Sequence, residues 1–308
     1  MAKCLVTGGA GFIGSHIATA LVERGYDVRV FDNLSSGKLE NLEHIRDSVE
    51  FVEGDLCVAD MVAKAVQGVD VIFHQAALAS VPRSLKMPLA TNAACVTGTV
   101  SLLTAAKDAG VRRVLYAASS SAYGDQPFAS KRENDLPAPL SPYAAAKLAG
   151  EYYCQAFFHS FGLETVAIRY FNVFGPRQDP NGEYAAVIPK FIAKMLSGER
   201  PTIFGDGTQS RDFTYIDNVV RGNLLAAETG ALELRTFNVA CGNQYSLLDL
   251  VSALNDLLGT SIAPEFAPRR DGDVLESLAD ITAARNDLGY APSVDFRTGL
   301  EKTIAAFR

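Results

Sequence analysis

Residues 7–16 read TGGAGFIGSH, with Gly8, Gly11 and Gly14 spaced three apart directly behind the apolar run 4–7. A turn with so little side chain lets the backbone come close to a pyrophosphate. A helix opening straight after it aims unpaired N–H groups and positive partial charge at the same spot. Asp32 stands 18 residues beyond Gly14, at the end of the next apolar run, 27–31. Strand, glycine turn, helix, strand and acid in that order form the fingerprint of a dinucleotide site, and the order disfavours a tight turn without ligand. An aspartate at this point accepts hydrogen bonds from a ribose diol and repels a 2′-phosphate. FDNLSSGK (31–38) carries no arginine, which favours NAD over NADP, with Lys38 the one residue that argues the other way. Asp55 in GDL (54–56) meets either the adenine amino group or the start of a helix.

Outward from this loop, apolar runs at 4–7, 27–31, 50–52, 71–74, 114–118 and 165–169 alternate with helical patterns at 11–24, 60–67, 91–109 and 143–161. Short runs separated by helices predict an α/β fold, a doubly wound parallel sheet of the Rossmann type. Beyond about residue 172 the rhythm loosens. Stretches 174–184, 204–213 and 266–274 are rich in turn residues, and helices are expected at 187–196, 216–228, 247–258 and 281–288. The reading is a dinucleotide-binding domain over 1–172 and a smaller mixed α/β substrate-binding domain over 173–308, with some chain crossing back and a ligand between the two.

The 308 residues are 48% hydrophobic and 20% charged, as expected of a globular chain with a sizeable core. A formal charge of −7 and the lack of basic runs argue against nucleic acid or an anionic membrane as partner. The five cysteines, Cys4, Cys57, Cys95, Cys154 and Cys241, are scattered singly, most of them in apolar surroundings, so they are expected to be buried and reduced, with no disulfide or metal framework. No apolar leader precedes the first strand, and no stretch is expected to approach the roughly 20 apolar residues of a membrane span. A cytoplasmic, soluble protein is the expectation.

In SPYAAAK (141–147), Tyr143 and Lys147 lie four apart on a predicted helix, so they share one face. An ammonium beside a phenol favours phenolate, which would make Tyr143 a usable base. An exposed pair on an amphipathic helix is the alternative.

TGGAGFIG, HQAALASV (74–81), ASSSAYGD (118–125), YAAAK (143–147) and RYFNVFGP (169–176) follow one another in the order found in extended short-chain dehydrogenases/reductases. The chain resembles that family over nearly its whole length, and its NAD-dependent UDP-sugar 4-epimerases above all. The resemblance implies that Tyr143 takes the proton of the sugar 4-hydroxyl while hydride leaves C4 for the nicotinamide, and that Lys147 lowers the phenol pKa and holds the nicotinamide ribose. It also implies that Ser119 bonds the developing charge on O4. Ser120 and Ser121 stand where the family's 4,6-dehydratases carry an Asp-Glu pair, which disfavours dehydration. Further NAD contacts implied in the same way are Phe12, Ile13, Asn33, Ser36, Gly37, Leu56, Gln75, Ala76, Ala77, Asn92 and Tyr170.

For the UDP-sugar, the resemblance points to Arg211 and Arg270 on the diphosphate, where bidentate guanidinium contacts suit phosphate oxygens. It adds Asn172, Asp273 at the uridine ribose, and Ala186, Val187, Lys190, Thr202 and Phe204 nearby. Ser80, Val81 and Arg83 resemble the N-acetylhexosamine-selective bacterial enzymes. Ser277 stands where galactose-type epimerases often carry a bulky tyrosine, and Ala79 where they often carry lysine. Room beside C2 therefore favours UDP-N-acetylglucosamine and UDP-N-acetylgalactosamine. A UDP-glucose or UDP-glucuronate 4-epimerase, or an NAD-binding regulator without catalysis, are the other readings. A homodimer paired through 91–109 and 143–161 is the family expectation.

Overall fold

The structure, a computed structural model, describes residues 2–127, 130–182, 185–232, 235–269 and 274–308. Its centre is a seven-stranded sheet of β1 (Lys3–Thr7), β2 (Asp27–Asp32), β3 (Val49–Glu53), β4 (Val71–His74), β5 (Arg113–Ser119), β6 (Glu164–Tyr170) and β7 (Thr236–Val239). The spatial order is β7-β6-β5-β4-β1-β2-β3, every pair parallel. Successive strand residues point to opposite faces, so both faces must be covered for runs such as RVLYAA to be buried throughout. Val6 packs with Ile17, Ala18 and Leu21 of α1 (Phe12–Glu23) on one face. Leu5 and Ile72 pack with Leu102 and Leu103 of the helix α3 (Gly98–Asp108) on the other, together with Val62 of α2 (Ala59–Ala65).

Six strands coincide with the runs read from the sequence. The seventh, TFNV, does not stand out there, because it is four residues long and contains an asparagine. Asn238 is nonetheless fully buried, its amide oxygen accepting from the Tyr123 hydroxyl (2.7 Å) and its Nδ2 donating to the Lys131 carbonyl (2.9 Å). β7 and α6 (Ile216–Glu228), both from the C-terminal half, lie against this first sheet, α6 packing on α1.

Three expectations need correction. The helix expected over 91–109 is longer and interrupted: Pro88–Asn92, a π turn at Ala93–Thr97, then α3. Pro88–Asp108 is therefore a 21-residue helical run, long and apolar enough to cross a membrane, contrary to the sequence reading. Its alanines, valines and leucines add up to that hydropathy, while Cys95, Thr99, Leu102, Leu103 and Ala106 are buried against the sheet and α2. Cys57 is exposed, and Cys241 half-buried, because each sits in a loop rather than in a strand or helix; all five cysteines are free thiols.

The remaining chain forms small sheets and the helices α4 (Pro142–Phe161), α5 (Val187–Leu196), α7 (Leu247–Leu258), α8 (Thr282–Leu288) and α9 (Phe296–Phe307). Stretches read as loops carry short strands: Ser210–Arg211 lies between Tyr245–Ser246 and Glu276–Ser277, and Thr202–Phe204 pairs with Glu265–Ala267. Phe174, Phe213, Tyr215, Tyr245 and Phe296 stack edge and face to hold these pieces together.

Candidate active site

The strand order reverses between β1 and β4, and the glycine turn lies at the carboxyl end of that junction, where ligands bind in open α/β sheets. Gly8 takes φ +67°, and a Cβ there would come within 2.6 Å of the Ala76 amide. At Gly14 a Cβ would lie 2.2 Å from the Gly8 carbonyl, so α1 can approach β1 only without a side chain. α1 opens with neither a side-chain cap nor an acidic residue in its first turn, which leaves its N–H groups and partial charge for an anion. Phe12 and Ile13 stand half-buried in that turn.

Asp32 closes β2 with its carboxylate accepting from Ala10 N (3.0 Å) and Leu34 N (2.8 Å). Burial raises its pKa and those two bonds pull it back. Gly37 packs against Ala10 and the Asp32 carboxylate, and the Lys38 amide donates to the Ala10 carbonyl (2.9 Å), so the segment holding Asn33, Ser36 and Gly37 folds over the glycine turn. Asp55 does not cap a helix: it accepts from Cys57 N (2.8 Å) and from Asn33 Nδ2 (3.0 Å), while α2 starts after an uncapped Val58. Leu56 is buried against Gly98 at the start of α3.

Gln75, at the end of β4, tests whether these residues suit a dinucleotide. Its Oε1 accepts from the Tyr170 hydroxyl (3.0 Å), but its buried Nε2 has no partner among the described residues, a donor left for a bound molecule. Tyr170 is itself buried and also reaches Asn223 on α6 (3.0 Å), so it braces Gln75 from below. Asn223 is not flagged by the sequence; an asparagine on a helix face otherwise buried was its only signal. Ala76 and Ala77 line the same end of β4, and Asn92 leads into the π turn.

α4 brings the tyrosine–lysine pair to the strand ends. Its first turn is set by Ser141, whose Oγ accepts from Ala144 N (3.2 Å), with Pro142 at the first helical position. Lys147 is buried, and its Nζ donates to the Ala117 carbonyl of β5 (2.7 Å), 5.0 Å from the Tyr116 ring centroid. The expected lowering of the Tyr143 pKa by that ammonium does not appear here. Burial dominates and pushes the phenol above its ordinary value, with the Cys95 thiol adding to the rise and a hydrogen bond from Ser119 countering it. Burial likewise lowers Lys147, whose charge is engaged by a carbonyl rather than by the phenol.

Ser119 ends β5 and caps the 3-10 turn Ser120–Tyr123, its Oγ accepting from Ser121 N (3.2 Å) and Ser121 Oγ (2.8 Å). His74, another group at this strand end, is wholly structural: it bonds Thr7 (2.7 Å) and Thr99 (2.9 Å), and burial drives its pKa down to about 3.

The residues expected on the substrate side lie on several separate elements. Ser80 caps Val81–Lys86 through Arg83 N (3.1 Å), placing Ser80, Val81 and Arg83 beyond β4. Arg211 and Ser277 pair in parallel register, and Arg211 Nη1 donates to the Ser210 carbonyl (2.8 Å). Asn172 is exposed just after β6; Ala186, Val187 and Lys190 occupy the start of α5. Thr202 is drawn away into bonds with Lys194 and Glu265, and the Phe204 carbonyl accepts from Gln209 (2.6 Å). Arg270 and Asp273 lie outside the described residues. Among the described residues no group of three His, Cys, Asp or Glu could hold a metal ion.

Residues 4–240 match the model of the NAD dependent epimerase/dehydratase family. This chain belongs to that family. Similar proteins include the UDP-glucose 4-epimerase of Mycolicibacterium smegmatis, 41% identical over 99% of this chain and 98% of that one. A Thermotoga maritima UDP-glucose 4-epimerase solved with UDP-glucose superposes with TM-score 0.95 at 40% identity, covering 99% and 98% of the two chains. A Methanobrevibacter ruminantium UDP-N-acetylglucosamine 4-epimerase, in complex with UDP-N-acetylmuramic acid, gives 0.94 at 42% with the same coverage. Other solved relatives, 35% and 36% identical, hold NAD. Membership in this NAD-dependent family accounts for the glycine turn, Asp32 and the unpartnered Gln75 amide together.

Proposed function

We propose that the protein is a UDP-sugar 4-epimerase that interconverts UDP-N-acetylglucosamine and UDP-N-acetylgalactosamine, with UDP-glucose and UDP-galactose as further substrates. The observation that carries the chemistry is the buried Tyr143 phenol, held close enough to Ser119 at the carboxyl end of β5 for that serine to temper its rise in pKa, on a helix that Lys147 pins to the Ala117 carbonyl. Bound NAD supplies a reversible acceptor for the hydrogen at C4. Tyr143 Oη takes the proton of the 4-hydroxyl as phenolate and returns it as phenol; burial alone disfavours that phenolate, so positive charge from Lys147 and the loaded site has to offset the cost. Ser119 Oγ donates to O4 as charge develops, and Lys147 keeps the first turns of α4 fixed on β5.

The sugar choice rests on Ser277 and Ala79. Ser277 lies in register with Arg211, so a small side chain stands beside the residue proposed for the diphosphate, leaving space for an N-acetyl group. Space admits the larger sugar without rejecting the smaller, since pockets discriminate such groups by only about 1–3 kcal/mol. A homodimer is proposed through α4 and the helix before α3, where Leu89 (86% exposed), Tyr152 (52%) and Tyr153 (41%) leave apolar surface uncovered. Incubating the protein with each UDP-sugar and following the anomeric protons by NMR tests the assignment. Conversion of the N-acetylated pair at a rate at least equal to the plain pair is expected; turnover of UDP-glucose or UDP-glucuronate alone would refute the sugar choice.

A further inference from the structure

Among the described residues only Leu34 and Arg177 are non-glycine residues with positive φ, at 55° and 66°. Such residues are held against their own steric preference, so the surrounding contacts must fix them. Leu34 follows Asp32 and donates its amide to that carboxylate (2.8 Å). Arg177 belongs to a different part of the chain, the segment after Phe174 that leads toward Ala186 and α5.

The contacts that hold Arg177 all lie on the dinucleotide side. Its Nη1 donates to Ser15 Oγ and Thr19 Oγ1 on α1 (both 3.2 Å), and its Nη2 lies 3.0 Å from His44 Nε2 in the helix Leu39–Ser48. His16 Nε2 bonds the neighbouring Pro176 carbonyl (3.0 Å). Two residues further on, Asp179 pairs with Lys38 (2.8 Å), the residue directly behind the segment Asn33–Gly37 that folds over the glycine turn. The strap 176–179 thus grips α1 just past its phosphate-facing turn at one end and the ribose-side loop at the other.

We propose that Arg177 is a positioning residue that latches this strap across the ribose side of the NAD site and so slows cofactor release. Arg177 works by holding the strap; it touches no reacting atom. The strained backbone makes the latch dependent on its guanidinium, whose three contacts tie the half-buried segment 176–178 to α1 and to His44. This does not depend on which sugar is turned over.

The test is NAD retention by the purified full chain, read as NAD bound per chain after gel filtration and as affinity by calorimetric titration. Arg177→Gly removes the latch and relieves the positive φ together, so folding is spared. It is expected to bind NAD about tenfold more weakly, with activity restored to within about twofold by added NAD. Arg177→Lys, which keeps a charge and some donors, should fall between the two. Asp179→Asn on the surface should speed NAD release about two- to threefold at low salt and lose that effect at about 0.5 M salt. Native NAD affinity in Arg177→Gly overturns the proposal, and so does a kcat that stays depressed when NAD is saturating.

Discussion

Arg169 and Glu151 face each other in a buried, bidentate ion pair, with Arg169 Nη2 2.7 Å and Nε 3.1 Å from the carboxylate, joining β6 to the middle of α4. Glu151 lies one turn beyond Lys147, so the pair and the Lys147–Ala117 bond fasten α4 to adjacent strands at successive turns. Removing one partner strands a buried charge. Glu151→Ala should therefore lose about 3–5 kcal/mol of stability in denaturant titration, whereas replacing both partners with apolar residues should lose much less. Equal losses in the two variants would show that the charges are not what matters.

Tyr143→Phe keeps the ring and removes the only atom proposed to move a proton. Turnover should fall about 10²–10⁴-fold with UDP-sugar affinity preserved, as seen in parallel activity and calorimetry measurements. Ser119→Ala should also slow turnover, and lose the cap of the turn Ser120–Tyr123 as well, at about 1 kcal/mol of stability.

Ser277→Tyr fills the space beside Arg211. It should lower kcat/KM for the N-acetylated sugars by about tenfold or more while sparing UDP-glucose, given the range over which pockets discriminate. A uniform loss on both sugars would count against Ser277 as a selectivity position.

His16 gives the strap a pH dependence. Burial first, then the Arg177 charge, lowers its pKa from 6.5 to about 4, against smaller upward contributions from the Pro176 carbonyl and Asp217, with His44 adding to the fall. The unfolded chain takes up the proton below about pH 6.5 and the folded chain only near 4, so stability is full above that window and lost as pH falls through it, by at most about 3 kcal/mol. The melting temperature should drop between pH 7 and pH 5. His16→Gln, which retains a donor for Pro176, should flatten part of that slope; an unchanged slope would sink the assignment.

Much of the site was legible because its constraints are local. Gly8, Gly14 and Asp32 follow from the turn geometry of one βαβ unit; the pitch of one helix sets Tyr143 and Lys147 together, and the resemblance carried by five ordered motifs singles the pair out. Residues whose roles depend on remote partners were not legible. Asn223 matters only because Tyr170 rests on it, and Arg177 only because α1 and Leu39–Ser48 lie across from its loop. The direction of the Tyr143 shift is not legible for the same reason: spacing puts a cation near the phenol, but enclosure sets the desolvation, and the ammonium is claimed by the Ala117 carbonyl.

The sequence alone determined the parallel sheet, the dinucleotide turn and the placing of Tyr143 and Lys147 on one helix, since each depends on periodicity or spacing within about thirty residues. Only the tertiary structure decided that β7 returns to the sheet edge, that Glu151 and Arg169 anchor α4, and that the strap at 176–179 closes on Lys38. Those contacts join segments far apart in the chain, and burial and charge at such junctions exist only once the chain has folded.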